Sequence, residues 1–250
     1  MQTKSIGNIY DTFFDSIDYI FMGKYKQFKT WIRKKIGIVG VAEFVDDAVE
    51  ANTRSNWNLW FSDEKYLKEY ATSDRIASYD ETIKLCEKEG VSFDEGKAID
   101  VGCGTGHFLR ELKKRHPSIS ITGTDFSEAS IAVAKKVNED GEFFTMDIFN
   151  VPAEQYNKYD YVICSEVLEH LLQPEIALQN IIQLANKTGH IILTVPNGRI
   201  DTYGGHINFW SPESWQNFID KNVDSTKYTC IYRLFNNNRN NFVLISTTID

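Results

Sequence analysis

Through the second half of the chain, short apolar runs close on polar residues and give way to stretches of helical periodicity. Ala98, Ile99 and Val101 predict a buried strand that carries Asp100 near its end, followed by an amphipathic helix from His107. Ile119 to Thr124 predicts a second strand closed by Asp125, after which Ser127 caps a helix through Val137. Glu128 in the first turn of that helix and Lys135 and Lys136 in its last match the helix dipole. Phe143 to Met146 is a third strand delivering Asp147, Tyr159 to Cys164 a fourth leading into SEVLEHL, and Gly189 to Val195 a fifth ending in Pro196-Asn197-Gly198. Ser211-Pro212-Glu213 opens a further helix with proline in its first turn. Lys227 to Phe235 and Asn240 to Thr248 are β-rich runs separated by NNNRN, which predicts an antiparallel hairpin. Strands alternating with helices predict a parallel α/β sheet that binds its ligand at the carboxyl edge, where each polar strand end falls.

The loop after the first strand, DVGCGTG, narrows the ligand. Gly102, Gly104 and Gly106 stand at alternate positions, so backbone can approach a ligand with no Cβ in the way, while the helix that follows offers unpaired N–H groups. A dinucleotide fingerprint has the spacing G-x-G-x-x-G, and the spacing here is G-x-G-x-G. Asp100 would repel a phosphate and suits a cationic amine, which points to a nucleoside carrying an amino acid.

At these residues the chain resembles the class I S-adenosylmethionine-dependent methyltransferases, whose first motif is an acid followed by G-x-G-x-G. The resemblance covers roughly residues 91 to 250. It implies a Rossmann-like, doubly wound, seven-stranded, mostly parallel sheet with an antiparallel C-terminal hairpin, preceded over residues 1–90 by a helical extension and lid. The cofactor would be S-adenosyl-L-methionine, held by Asp100, Gly102, Cys103, Gly104, Gly106, Asp125, Phe126, Asp147, Ile148 and Ser165. Asp125, about twenty residues after the glycines, is placed to accept both ribose hydroxyls, and Asp147 takes the position that meets the adenine amino group.

Composition limits what else the chain can be. With 250 residues, 42% of them hydrophobic, it can build one core and an appendage. A net charge of −8 argues against gripping a nucleic-acid backbone and favours a small-molecule acceptor. Cys86, Cys103, Cys164 and Cys230 are scattered, without zinc-site or disulfide spacing. No run reaches the length of a membrane span and no signal-type apolar segment leads the chain, so a cytoplasmic location is expected. Between Lys24 and Lys35 a basic amphipathic stretch could lie on a membrane surface or against a second copy; the plainer reading is a helix packed on its own domain with a solvated basic face.

Residues 52–80 carry Trp57, Trp60, Phe61, Tyr66, Tyr70 and Tyr79, together with Arg54 and Arg75. They read as a helical lid that keeps water from the transfer, the arginines being candidates for a substrate phosphate or the cofactor carboxylate. Glu166, Glu169 and His170 fall at i, i+3 and i+4, one face of the helix expected to start after the fourth strand, and His206 lies in the loop after the fifth strand. Two carboxylates and two imidazoles are a plausible set for Mg²⁺ or Mn²⁺, and the E-x-x-E-H pattern resembles that of metal-assisted O-methyltransferases, including ubiquinone-pathway catechol enzymes. Without a metal, His206 or His170 serves as general base, with Glu166 a further catalytic candidate. His107 reads as a helix-start residue. The expected reaction is methylation of a hydroxyl, or an amine, on a small polar acceptor. A sugar, nucleotide sugar or phosphorylated metabolite fits Arg54, Arg75, Arg199 and the acidic balance, in the manner of polysaccharide biosynthesis. The alternatives are a ubiquinone-type catechol acceptor and a cofactor-binding subunit without catalysis.

Overall fold

A computed structural model describes residues 47–248. Ahead of the sheet come helices α1 (Arg54–Ser62), α2 (Glu64–Tyr70) and α3 (Ser73–Lys88). The core then runs β1 (Lys97–Val101), α4 (His107–Arg115), β2 (Ser120–Asp125), α5 (Glu128–Val137), β3 (Glu142–Thr145), β4 (Tyr159–Ser165), α6 (Pro174–Leu184), β5 (Ala185–Pro196), α7 (Pro212–Asn222), β6 (Tyr228–Phe235) and β7 (Asn240–Thr247). The expected caps are present: the Ser127 and Ser211 hydroxyls accept from Ser130 N and Ser214 N.

The strands form one seven-stranded sheet in the order β3-β2-β1-β4-β5-β7-β6. β1 to β5 pair in parallel, and β7 inserts antiparallel between β5 and β6. Inner strands buried on both faces divide their alternate residues between two cores. Ile99, Val101, Val162, Leu193 and Val243 face α6 and α7 with Trp215 and Ile219. Ala98, Ile163, Ile192 and Leu244 face the other way, against Ile83 of α3, Leu109 of α4 and Ile131 of α5. This is the Rossmann-like architecture expected, with the antiparallel hairpin at its C-terminal end.

Helices α1 to α3 belong to the same compact unit as the sheet, a unit that begins at residue 46. The stretch from Lys24 to Lys35 lies outside the described residues. Among the described residues no helix is long and apolar enough to cross a membrane.

Candidate active site at the carboxyl edge

The glycine loop is built as its sequence demands. Gly102, Gly104 and Gly106 have φ of +79°, +51° and +74°, a region that side chains rarely adopt. A Cβ on Gly102 would stand 2.4 Å from Val167 Cγ2, so that turn also lacks the room. The loop is clamped to β2: Gly102 N and Cys103 N donate to Thr124 O at 2.7 and 2.9 Å. Asp125 spans two elements, accepting from Gly104 N at 3.0 Å and from Ser127 N at 2.8 Å. Burial raises its pKa while these donors pull it back.

Asp100 is almost fully buried and its Oδ1 has no hydrogen-bond partner. Burial, with Asp125 nearby, pushes it up to about 8. A buried carboxyl oxygen without a donor suits a ligand that brings a cationic amine, and together with the glycine turn it makes this edge fit S-adenosylmethionine. Asp147 sits at the same edge but is engaged with its own turn, accepting from Phe149 N at 2.9 Å and Asn150 Nδ2 at 3.2 Å. Ile148 is buried. Ser165 Oγ shares a hydrogen bond with Thr194 Oγ1 at 2.8 Å. His107 begins α4 with its ring bonded to Thr105 Oγ1, and burial lowers its pKa to about 4, as fits a helix-start residue.

Helix α1 lies across this edge. Asn58 Oδ1 accepts from Ser127 Oγ at 2.7 Å and Ala129 N at 3.3 Å, which ties α1 to the start of α5. Phe61 and Tyr70 reach within 3.6 and 3.9 Å of the Cβ position of Gly104, and Trp57 meets His170 edge-on at 5.3 Å. Arg54 stands over Phe126 and Arg75 over Tyr70, at 5.9 and 4.9 Å from the ring centroids.

The acid and histidine residues group differently from the sequence expectation. SEVLEHL is not an α-helix: β4 ends at Ser165, Glu166 takes φ +57°, and Leu168–His170 is a single 3-10 turn. Glu166 is held by the sheet instead, its carboxylate accepting from Thr194 Oγ1 and Asn240 Nδ2, both at 2.9 Å. Burial raises Glu166 to about 7. The metal set drawn from sequence loses this member because a left-handed residue breaks the helical spacing on which the set was based.

Glu169, His170 and His206 do converge, each offering an atom within 4.8 Å of the others. Glu169 is buried and neither carboxylate oxygen has a hydrogen-bond partner. Burial, then the nearby Glu166, holds it well above the usual carboxylate range. His170 Nδ1 bonds Gly205 O at 3.2 Å, and burial, then His206, drops its pKa to about 4, so the ring is neutral at physiological pH. His206 Nδ1 bonds Asp201 Oδ2 at 2.5 Å while its Nε2 points inward, 3.9 Å from Glu169 Oε1. Asp201 is the residue sequence reasoning missed. It precedes His206 by five residues in an irregular loop, where no periodicity announces a pair. Arg199, an expected anion ligand, is engaged by Glu213 of α7 at 2.6 Å.

Residues 71–222 match the methyltransferase domain family. Among curated relatives, ubiquinone biosynthesis O-methyltransferase of Acinetobacter baylyi is 28% identical over 43% of this chain and 46% of its own length. That of Coxiella burnetii is 30% identical over 48% and 52%. The match thus spans about half the length of these curated relatives. A SAM-dependent methyltransferase from Aquifex aeolicus superposes with a TM-score of 0.61 at 16% identity, over 74% of this chain and 99% of that one. The plantazolicin methyltransferase BpumL, solved with SAH, gives 0.62 at 14%, over 82% and 100%. An acid-and-glycine edge on this strand order and a family match across β1 to β5 lead to one assignment: the chain belongs to the methyltransferase domain family, in the class I S-adenosylmethionine-dependent group.

Proposed function

We propose that this protein methylates a hydroxyl on a small acceptor with an apolar frame, His206 acting as the general base. The observation that carries the reading is the Asp201–His206 bond, which presents Nε2 to the interior of the carboxyl edge. Asp201 keeps the proton on Nδ1, leaves the Nε2 lone pair free, and stabilises the imidazolium formed when the acceptor hydroxyl gives up its proton. The glycine loop with Asp100, Asp125 and Asp147 would hold the cofactor, which when bound supplies an electrophilic methyl group on a sulfonium. α1 and α2 serve as the lid that excludes water.

Two findings favour a hydroxybenzene-type acceptor over a sugar. Beside Asp201, the partner of His206, lies a groove of about 500 Å³ whose apolar side is Pro196, Ile200 and Tyr203 and whose polar side includes Thr202 and Arg239, and the relatives named above are ubiquinone-pathway O-methyltransferases. Calorimetry should show S-adenosylhomocysteine binding that Asp125→Ala abolishes. In a methyl-transfer screen over catechols and nucleotide sugars, turnover should fall on catechols. His206→Ala should then lower kcat about 10²- to 10⁴-fold, with Asp201→Asn in the same direction and S-adenosylhomocysteine affinity retained in both. Cofactor binding without turnover on any acceptor would favour the non-catalytic subunit.

A second reading rests on the two partnerless oxygens of Glu169. Glu169 with the two Nε2 atoms offers three ligands to Mn²⁺ or Mg²⁺, His206 then being oriented by Asp201 as metal-bound histidines commonly are. Metal analysis of the purified protein and assay after chelation separate the two. Full activity without metal retires the cation.

A further inference from the structure

The groove lined by Asp201, the partner of His206, contains a cation with no partner among the described residues. Among the described residues, Arg110, Arg115, Arg199 and Arg233 each bond a carboxylate, and Arg54 and Arg75 lie over aromatic rings. Arg239 does neither, yet it lines the groove together with Pro196, Ile200, Asp201 and Tyr203. Asp201 in the same groove is already engaged, accepting from Tyr203 N at 3.0 Å through one oxygen and bonding His206 through the other. The lining is mixed and open: Pro196, Ile200 and Tyr203 stand with Asp201, Thr202 and Arg239, and Ile200 and Tyr203 are 56% and 45% exposed.

Arg239 is mounted on a tight hairpin turn that is tied to the site. Asn236, Asn237 and Asn238 all take left-handed φ, of 52°, 55° and 63°. Arg239 N donates to Asn236 O at 3.1 Å, and left-handed φ at the two central residues is the hairpin turn that asparagine favours. Here Asn197 N donates to Arg239 O at 2.8 Å and Asn197 Nδ2 to Asn238 O at 2.9 Å. Asn236 Nδ2 donates to Asn240 Oδ1, and Asn240 in turn to Glu166, so the loop is locked to the middle of the site.

We infer that Arg239 is the anion-recognition residue of the acceptor site, and that the acceptor joins a carboxylate or phosphate-type group to its apolar frame. The inference rests on the proposal that this groove leads the acceptor to His206. Arg239 and Asp201 line the same groove, and Asp201 holds His206, so a molecule seated there has the guanidinium for its anion and the histidine for its hydroxyl. A guanidinium facing a planar oxyanion bonds it through two N–H donors.

The test titrates the protein, saturated with S-adenosylhomocysteine, with 3,4-dihydroxybenzoate, its neutral amide and 3,4-dihydroxyphenylphosphonate. At least one anion should bind about ten-fold tighter than the amide, equivalent to about 1.4 kcal/mol. Arg239→Gln should bring that ratio within about two-fold while S-adenosylhomocysteine affinity stays unchanged, and Arg239→Lys should keep part of it. The better-bound anion tells carboxylate from phosphate. Equal affinities for all three, no binding of any, or a preference that survives Arg239→Gln overturns the inference. If the preference depends on Arg239 and no probe is methylated, the anion site stands and the methyl-transfer proposal falls. If acid and amide are methylated with equal kcat/KM, methyl transfer stands and the anion site falls.

Discussion

Gly102 and Asp100 show how single residues commit this edge to a ligand. Gly102 combines positive φ with a Cβ position 2.4 Å from Val167, so Gly102→Ala must strain the backbone and displace a neighbour. A loss of about 2 kcal/mol or more in urea unfolding is expected, together with loss of S-adenosylhomocysteine binding; near-wild-type values for both would show the turn to be adaptable. Asp100 has a pH signature. Its pKa rises from 3.8 unfolded to about 8 folded, so between those values the unfolded chain is ionised while the folded one is not. The contribution of Asp100 to stability is complete below about pH 4 and lost as pH climbs towards 8. The melting temperature of the cofactor-free protein should therefore decline less from pH 5 to 8 in Asp100→Asn than in wild type, and parallel curves would refute the assignment.

At the scale of elements, the lid is the least secured part of the site. α1 is nine residues long with only Phe61 buried, and α2 is seven residues long with none. Helices this short have little stability of their own and depend on docking. Asn58 supplies that docking through Ser127 and Ala129, and Phe61 and Tyr70 rest against the glycine loop that the cofactor must reach. In hydrogen exchange, residues 54–70 should open far more readily than β1 or β4, and Asn58→Ala should raise exchange there selectively. Uniform protection of the lid and the central strands would count against a cover that opens. Aromatic density predicts helices packed on the sheet edge, but which aromatic meets the glycines depends on how α1 crosses the sheet. SEVLEHL misled for a related reason: its helical spacing is real, and Glu166 at positive φ interrupts it.

Across the whole molecule, β7 joins the fold to the acceptor side. It lies between β5 and β6, with Phe242 fully buried opposite Thr194 and Arg233, and it begins at Asn240, next to Arg239. Phe242→Ala should cost about 3–5 kcal/mol and, if the variant folds, weaken acceptor binding more than cofactor binding, because the cofactor edge is built from β1 to β4. Equal losses at both sites would mean that the two halves of the edge do not act separately. The alternation of strands and helices, the acid-and-glycine turn, the caps of α5 and α7 and the C-terminal hairpin were all legible in the sequence, because each rests on residues close together in the chain and on the periods of 2 and 3.6. The tertiary structure alone decided that Asp201 rather than Glu166 bonds His206, that Arg199 is engaged by α7, and that Arg239 lines the groove with no partner among the described residues. Those outcomes depend on left-handed residues and on loops from distant parts of the chain meeting at one sheet edge, where no local period links a residue to its neighbour in space.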